Sequence, residues 1–360
     1  MNYLLNDDQT AFVDTARKFL AEHAEPLFLH RIADRHGDWQ KDLGDLWQEF
    51  ANLGFASLLI KEEDGGIGLS LFDAALINEV IGASAAPLPF IAHQLCCLAI
   101  CQGGSAEQKA LWLPRLASGE LIGSVALMGR PGSYQPDSWQ AEASGEKTLR
   151  LGNLEVSGSP LPTLIITGLV GGGLGLVDPQ APSLVRLDKP CVDPIGFLAD
   201  FQVNEADIQP LAHGHACSQA LVDAGLVLQA AQACGGIGKC VELSAEYAKI
   251  REQFGVPIGQ FQAVKHQLAD IALDGEPNRP LTWHAAQCVA TGEPGASRHA
   301  ALAKAHLADA YLRVARKTIE LHGGFGYTWE ADLHLYLKRA MFLSAHLGSA
   351  LNLRQCLANR

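Results

Sequence analysis

The sequence predicts an α+β protein in three parts: a helical N-terminal domain over residues 1–118, a small β domain over 119–213, and a helical bundle over 214–360. Two observations carry this. Apolar residues recur close to every 3.6 positions towards both ends of the chain, while the middle breaks into short apolar runs separated by Gly, Pro, Asp and Ser. A third bounds it: 360 residues, 48% of them hydrophobic and 18% charged, give ample core for two or three domains.

In the first part, Asp7 or Asp8 is placed to cap DQTAFVDTARKFLAEHA, whose Phe12, Val13, Ala16, Phe19 and Leu20 form one stripe. WQKDLGDLWQEFANLG follows and stops at Gly54, and LFDAALINEVIGASA is a third helix; the Gly-rich KEEDGGIGLS between them reads as a connector. In the middle, LIGSVALM, LRLGNLEV, TLIITGLV, LGLVD and PSLVRL read as strands. GGGLGLVD contains no G-x-G-x-x-G and does not join a strand to a helix, so it reads as a hairpin turn and not a dinucleotide loop. From Cys217 onward, SQALVDAGLVLQAAQACGGIGKCVELSAEYAKI is a long helix with small residues for close packing. FQAVKHQLADIA carries a stripe of Phe261, Val264, Leu268 and Ile271 or Ala272, followed by a break at DGEPNRP and then LTWHAAQCVATG. A fourth helix, SRHAALAKAHLADAYLRVARKTIELHGG, has Ser297 as N-cap and Gly323 just past its end. Four helices with short connections predict an antiparallel bundle.

The net charge of −12 argues against a nucleic-acid partner, which would need a clustered basic face. The nine cysteines form no C-x-x-C pair and no Cys/His zinc spacing, so they read as reduced and mostly buried. The N-terminus lacks a basic stretch followed by an apolar run, and no apolar segment reaches the roughly 20 residues of a membrane span. A cytoplasmic location and no membrane partner are expected. Glu330, Asp332 and His334 have a spacing that could suggest a metal or acid/base cluster. A helix burying Leu333, Leu335, Tyr336 and Leu337 with its charges solvated accounts for them better, and no metal site is expected.

Two stretches remain, REQFGVPIGQFQAVKHQLAD and IELHGGFGYTWEADLHLYLKRA. Together with the helix–strand–helix order, they make the chain resemble the acyl-CoA dehydrogenase family, in organisation over the whole chain and at the residue level over about 217 to 350. The resemblance implies FAD at a subunit interface. Elementary chemistry agrees: an arginine fork meets pyrophosphate oxygens bidentately, which suits Arg251 as a clamp, and Phe254 on the rigid Gly255-Val256-Pro257 turn can cover an apolar part of a cofactor. The family's matching Arg, Phe and Gln contact the ADP part of a flavin held mainly by the neighbouring subunit. Arg251, Phe254 and Gln262 inherit that role, with Gln253, Ile258, Phe261, Glu320, Gly323 and Gly324 in the same set. A helix stop needs one glycine, so Gly324, with Gly326 further on, favours a packed ligand. Glu320 stands where the family usually has Gln, and a carboxylate beside pyrophosphate is repulsive.

The resemblance also locates what is missing. Family members remove the α-proton of an acyl-CoA thioester with a glutamate while the β-hydrogen leaves as hydride to the flavin; the two positions used for that base are Leu347 and Gly225 here. Neither takes a proton. Asp223, two residues from Gly225, is a weak candidate because it falls on another helix face. In the middle domain the family's Thr-Glu-Pro and Trp-Ile-Thr segments correspond to ALMGRPGSYQPD, which retains Pro131, and SGSPLPTLIITG, which has no tryptophan; the segment after the base reads Gly348-Ser349-Ala350-Leu351-Asn352. One half of a flavin site is thus kept and the other degraded. That implies a chain active with a homologous partner carrying the Glu, as in the α2β2 heterotetramers that act on steroid side-chain CoA thioesters, with an electron-transfer flavoprotein as acceptor. The alternatives are a homodimeric flavoenzyme with a non-standard base, or a flavin-free structural paralogue.

Overall fold

A computed structural model describes residues 5–127, 129, 133–144, 148–150, 153–157, 164–178, 184–188, 190–203, 206–275 and 277–358. Pro131 and residues 158–163 of the segments compared above lie outside these. The N-terminal part consists of α1 (Asp7–His23), α2 (Pro26–Ala33), α3 (Trp39–Asn52), α4 (Leu71–Ser84), α5 (Phe90–Gly103) and α6 (Ala106–Ala117). The cap of α1 is Asn6, not Asp7 or Asp8: its Oδ1 accepts the Gln9 N–H at 2.7 Å while Gln9 Oε1 accepts the Asn6 N–H at 3.2 Å. The aspartates sit instead in the first turn, where the helix dipole favours negative charge. Gly54 ends α3 in the left-handed region at φ 91, as its sequence position predicts.

The middle part is one sheet in the order β2-β3-β9-β6-β5-β1-β4-β8-β7. Its strands are β1 (Gly123–Ala126), β2 (Glu142–Ser144), β3 (Thr148–Arg150), β4 (Asn153–Ser157), β5 (Leu164–Gly168), β6 (Leu174–Val177), β7 (Leu184–Asp188), β8 (Leu198–Val203) and β9 (Ala206–Pro210). β1 and β5 pair in parallel, and β5 and β6 form the expected hairpin through Gly171 and Gly172, at φ 83 and 87. The sheet is seated on the helical part through β1. A Cβ on Gly123 would fall 2.4 Å from Cys96 Cβ, and the Gly123 N–H donates to His93 Nδ1 at 3.1 Å.

The last part is built on α7 (Gly214–Ile250), with α8 (Gln262–Gly275), α9 (Asn278–Thr291), α10 (Ala296–Leu321), α11 (Leu333–Ala345) and α12 (Ala350–Ala358). α7 and α10 run parallel: Asp223 meets Ser297 near the start of α10, and Ser244 meets Thr318 near its end. α8 and α9 both run back along α7, since Gly275 lies beside Ile237, so the break at Pro277 makes them two halves of one leg. The fourth leg is α11, whose Leu343 carbonyl accepts from Lys304 Nζ of α10. The expected four-helix bundle is present, with this change in which segments form it. Ser297 is not the cap of α10. Gly295 holds that position at φ 84, and the Ser297 hydroxyl in the first turn donates to Asp223 Oδ2 at 2.5 Å.

Glycines set the spacing between these helices. A Cβ would fall 1.8 Å from Glu79 O if added to Gly235, 2.0 Å from Gln232 O if added to Gly82, and 2.2 Å from Tyr311 Oη if added to Gly236. α7 is long and apolar enough to cross a membrane, which the sequence reading did not anticipate, but 94% of its most apolar window is buried against other helices. All nine cysteines are free and most are buried, as expected.

Two predictions follow from this packing. Gly235→Ala forces α4 away from α7 and should cost about 1–3 kcal/mol in a denaturant melt, the range for overpacking; an unchanged midpoint would show that the helices are not in contact there. Burial lowers His93 to about pKa 4 and, with Lys304 beside it, His346 to about 3. The unfolded chain therefore binds protons between pH 6.5 and 4 that the folded chain refuses. Stability should fall as pH drops through that window, each histidine contributing a slope approaching 1.4 kcal/mol per pH unit. Melts in urea across this range check the sign.

Candidate functional site

The Arg251 corner forms where α7 stops. Arg251 is extended, its carbonyl accepts the Ile258 N–H at 2.8 Å, and β10 (Glu252–Gln253) pairs with β11 (Val256–Pro257) in a minimal hairpin. The two turn residues, Phe254 and Gly255, both have positive φ, 55 and 79. A hairpin turn of this hand requires that, and glycine tolerates it where phenylalanine does not. Phe254 is nevertheless there, and 93% exposed. The corner is pinned from below: Ile258 and Phe261 are half-buried, Phe254 meets Phe261 edge-on at 6.0 Å, and a Cβ on Gly259 would fall 2.9 Å from Ala248 O. Arg251, Gln253 and Gln262 are exposed above it.

The glycine turn lies at the same end of the bundle, because α7 and α10 are parallel. Tyr247, in the last turn of α7, stacks on His322 at 4.3 Å and on Phe325 at 6.0 Å. Gly323 follows α10 at φ 59 and serves as its stop. Gly326 is explained within the chain, contrary to the expectation that it signals a ligand: a Cβ there would fall 2.4 Å from Ile319 O. Gly324 has no such reason, since a Cβ would meet nothing within 4 Å. The Glu320 carboxylate is drawn sideways to Lys317 Nζ at 2.7 Å, which offsets its charge. Phe325 and Tyr327 complete an exposed aromatic rim at 46% and 80%.

The two base positions are neighbours in space. A Cβ on Gly225 would fall 2.8 Å from Leu347 Cδ1, so the leucine of one position fills the room left by the glycine of the other. Leu347 is itself held at φ 54, and Gly348 follows at φ 106 with the Tyr134 ring where its Cβ would be, 1.7 Å away. Leu347 borders an apolar cavity of about 70 Å³ between α5, α7, β1 and α11. That is less than half of the roughly 150 Å³ that admits benzene. Among its lining groups, Gln229 Nε2 and His346 Nδ1 lie 2.5 Å apart, and Arg339 is ion-paired with Asp193, both buried. Asp223 faces elsewhere, accepting from Gln219 Nε2 at 2.9 Å and from Ser297.

The Glu330, Asp332 and His334 set does not converge. Glu330 is exposed, Asp332 bonds His30 Nε2, and His334 stacks on Trp329 at 4.1 Å with its pKa pushed down to about 4 by burial and Lys338. Leu333, Leu335 and Tyr336 are buried as expected; Leu337 is half-exposed. Sequence reasoning missed Tyr134, Gln229, Arg339 and His346; Tyr134 and Gln229 come from separate elements with no motif, whereas Arg339 lies within IELHGGFGYTWEADLHLYLKRA and His346 is adjacent to Leu347.

Because Phe254 is strained and uncovered, Phe254→Gly should stabilise the isolated chain by about 1 kcal/mol, while Arg251→Ala should leave it within about 0.5 kcal/mol. Thermal melts of both variants check this; a large loss from either would mean that the corner is structural.

Residues 6–120 match the acyl-CoA dehydrogenase N-terminal domain family and residues 213–360 the acyl-CoA dehydrogenase C-terminal domain family. The chain is 30% identical over 332 residues to acyl-CoA dehydrogenase IpdE2 of Mycobacterium tuberculosis, covering 91% of this chain and 89% of that one. Among solved structures it is similar to a variant of the Tcur3481–Tcur3483 steroid ACAD, with a TM-score of 0.88 and 28% identity over 98% and 97% of the two chains. Butyryl-CoA dehydrogenase of Megasphaera elsdenii shares the fold, with a TM-score of 0.86 and 22% identity over 100% of each chain. With both terminal domains matched and the curated relative aligned along nearly its full length, the chain belongs to the acyl-CoA dehydrogenase family.

Proposed function

We propose that this chain is the base-less subunit of a flavin-dependent acyl-CoA dehydrogenase, an oxidoreductase acting on a CH–CH group, and that it works with a homologous partner in an α2β2 heterotetramer. The observation that carries this is the contact between Leu347 and Gly225, which fills both places from which a family member presents its carboxylate. The partner then supplies the glutamate. Bound FAD supplies the acceptor for the hydride that leaves the β-carbon.

This chain's own contribution is a grip on the ADP end. Arg251 offers a guanidinium fork to the pyrophosphate, Phe254 an exposed ring carried on the hairpin turn, and Gly324 a stretch of backbone that a ligand can approach. Gln253, Gln262 and the Gly323 turn border the same edge, with Ile258 and Phe261 anchoring it from beneath. Such residues fit a group that belongs mainly to another chain, because they point out of the fold. The cavity beside Leu347, about 70 Å³, is too small for an acyl-CoA, which favours a thioester site in the partner as well. Likeness to the steroid ACAD favours a bulky, steroid-derived acyl group, and family membership favours an electron-transfer flavoprotein as acceptor.

Co-expression with a homologous partner tests this. The complex should contain FAD and oxidise an acyl-CoA, Arg251→Ala should release FAD from it, and Asp223→Asn should leave turnover unchanged. If the chain alone binds stoichiometric FAD and oxidises an acyl-CoA, the subunit assignment fails.

A further inference from the structure

At the far end of α10 from the glycine turn, the α9–α10 connection brings together side chains for which the flavin chemistry has no use. His284 and Cys288 lie one turn apart on α9, and His299 faces them from the first turn of α10; one ligand-type atom from each lies within 4.8 Å of the others. His284 and His299 meet edge-to-face at 4.6 Å between ring centroids. Glu293, in the turn itself, adds a fourth group, with its Oε2 3.5 Å from Cys288 Sγ. The turn is tightly specified: Gly292 and Gly295 are left-handed at φ 67 and 84, and the Glu293 N–H donates to the Cys288 carbonyl at 3.0 Å.

We infer that His284, Cys288 and His299, with Glu293 beside Cys288, form a zinc-binding site that clips α9 to α10. The distances fit such an ion. With Zn–S near 2.3 Å and Zn–N or Zn–O near 2.1 Å, a tetrahedron has S···N and S···O edges of about 3.6 Å. Cys288 Sγ lies 3.6 Å from His284 Nε2 and 3.5 Å from Glu293 Oε2. Two imidazoles and a thiolate suit zinc and do not suit calcium or magnesium, which take oxygen ligands. Cys288 is buried while the other three are half-buried, so the sulfur sits at the bottom of a site that opens to solvent. Burial and the Glu293 carboxylate raise the pKa of the Cys288 thiol; binding would release that proton to water and replace it with a cation that both groups favour.

The spacing that sequence reading sought, C-x-x-C or its Cys/His equivalents, misses this set because two ligands come from one helical face and the third from beyond a turn. The site is structural in character. His284 and Cys288 come from α9 and His299 from α10, so an ion held by these three ties the two helices together, with the Glu293 carboxylate or a water in the fourth position. It is also remote from the flavin grip: the 24 positions from His299 to Gly323 along α10 span roughly 36 Å, so its loading and FAD retention should vary independently.

The untagged full-length chain, stripped with a chelator and kept reduced, should take up one zinc ion per chain that survives gel filtration and raises its melting temperature. Cobalt in place of zinc should give tetrahedral visible bands and a near-ultraviolet thiolate-to-cobalt charge-transfer band. Cys288→Ser should abolish the charge-transfer band, and His299→Gln, at a half-exposed position, should weaken metal retention at least tenfold with an unchanged circular dichroism spectrum. Failure to retain zinc would overturn the proposal, as would a cobalt complex without a thiolate band or equal retention by His299→Gln.

Discussion

The structure depends on how closely α7 can approach its neighbours. This 37-residue helix is packed against α4 and α10 at glycine contacts where an added methyl would run into a backbone carbonyl or the Tyr311 hydroxyl. Because α10 lies parallel to α7, the two chain reversals that follow them emerge at one end. The Arg251 corner and the Gly323 turn, far apart in sequence, become a single exposed edge joined by Tyr247, His322 and Phe325. Nearer the other end of α7, Gly225 meets Leu347. A single packing decision therefore fixes both the edge that presents charge and aromatic surface and the interior point where a base would stand.

These two places are treated in opposite ways. The edge keeps features that cost stability within this chain: an exposed phenylalanine in left-handed backbone and a glycine with no internal steric need. The interior point is filled and apolar, with Leu347 against Gly225 and Tyr134 against Gly348. Strain that is retained where no intramolecular contact rewards it favours a contact with something outside the chain. Space that is filled where chemistry would need it open favours chemistry carried out elsewhere. An acyl-CoA dehydrogenase subunit that lends a nucleotide grip to its partner accounts for both.

Much of this was legible in the sequence because its causes are local. Gly54, the β5–β6 glycines and the end of α10 each carry their turn chemistry with them, and the Arg251 corner is a continuous motif. Other features depend on partners distant in sequence. α5 is apolar on nearly every face because it is buried on all sides, so no stripe marks it. β8 reads LADFQV, without an apolar run to mark it as a strand. Asn6 takes the cap from Asp7 through a reciprocal bond with Gln9, which composition alone does not rank. Loop length predicted antiparallel neighbours throughout, but the break at Pro277 merged α8 and α9 into one leg and turned α10 parallel to α7. The cavity residues Arg339, His346 and Gln229, and Tyr134 against Gly348, come from stretches far apart in sequence, and so only the fold assembles them.

The central claim is that this chain holds no proton acceptor for the α-carbon. The most direct measurement is exchange of the acyl-CoA α-protons in deuterated water, followed by NMR with this chain alone and then with the assembled complex. Exchange should be absent with the chain alone, should appear with the complex, and should vanish when the partner's glutamate is replaced by glutamine. Exchange catalysed by this chain alone, or exchange in the complex that persists without the partner's glutamate, would contradict the account.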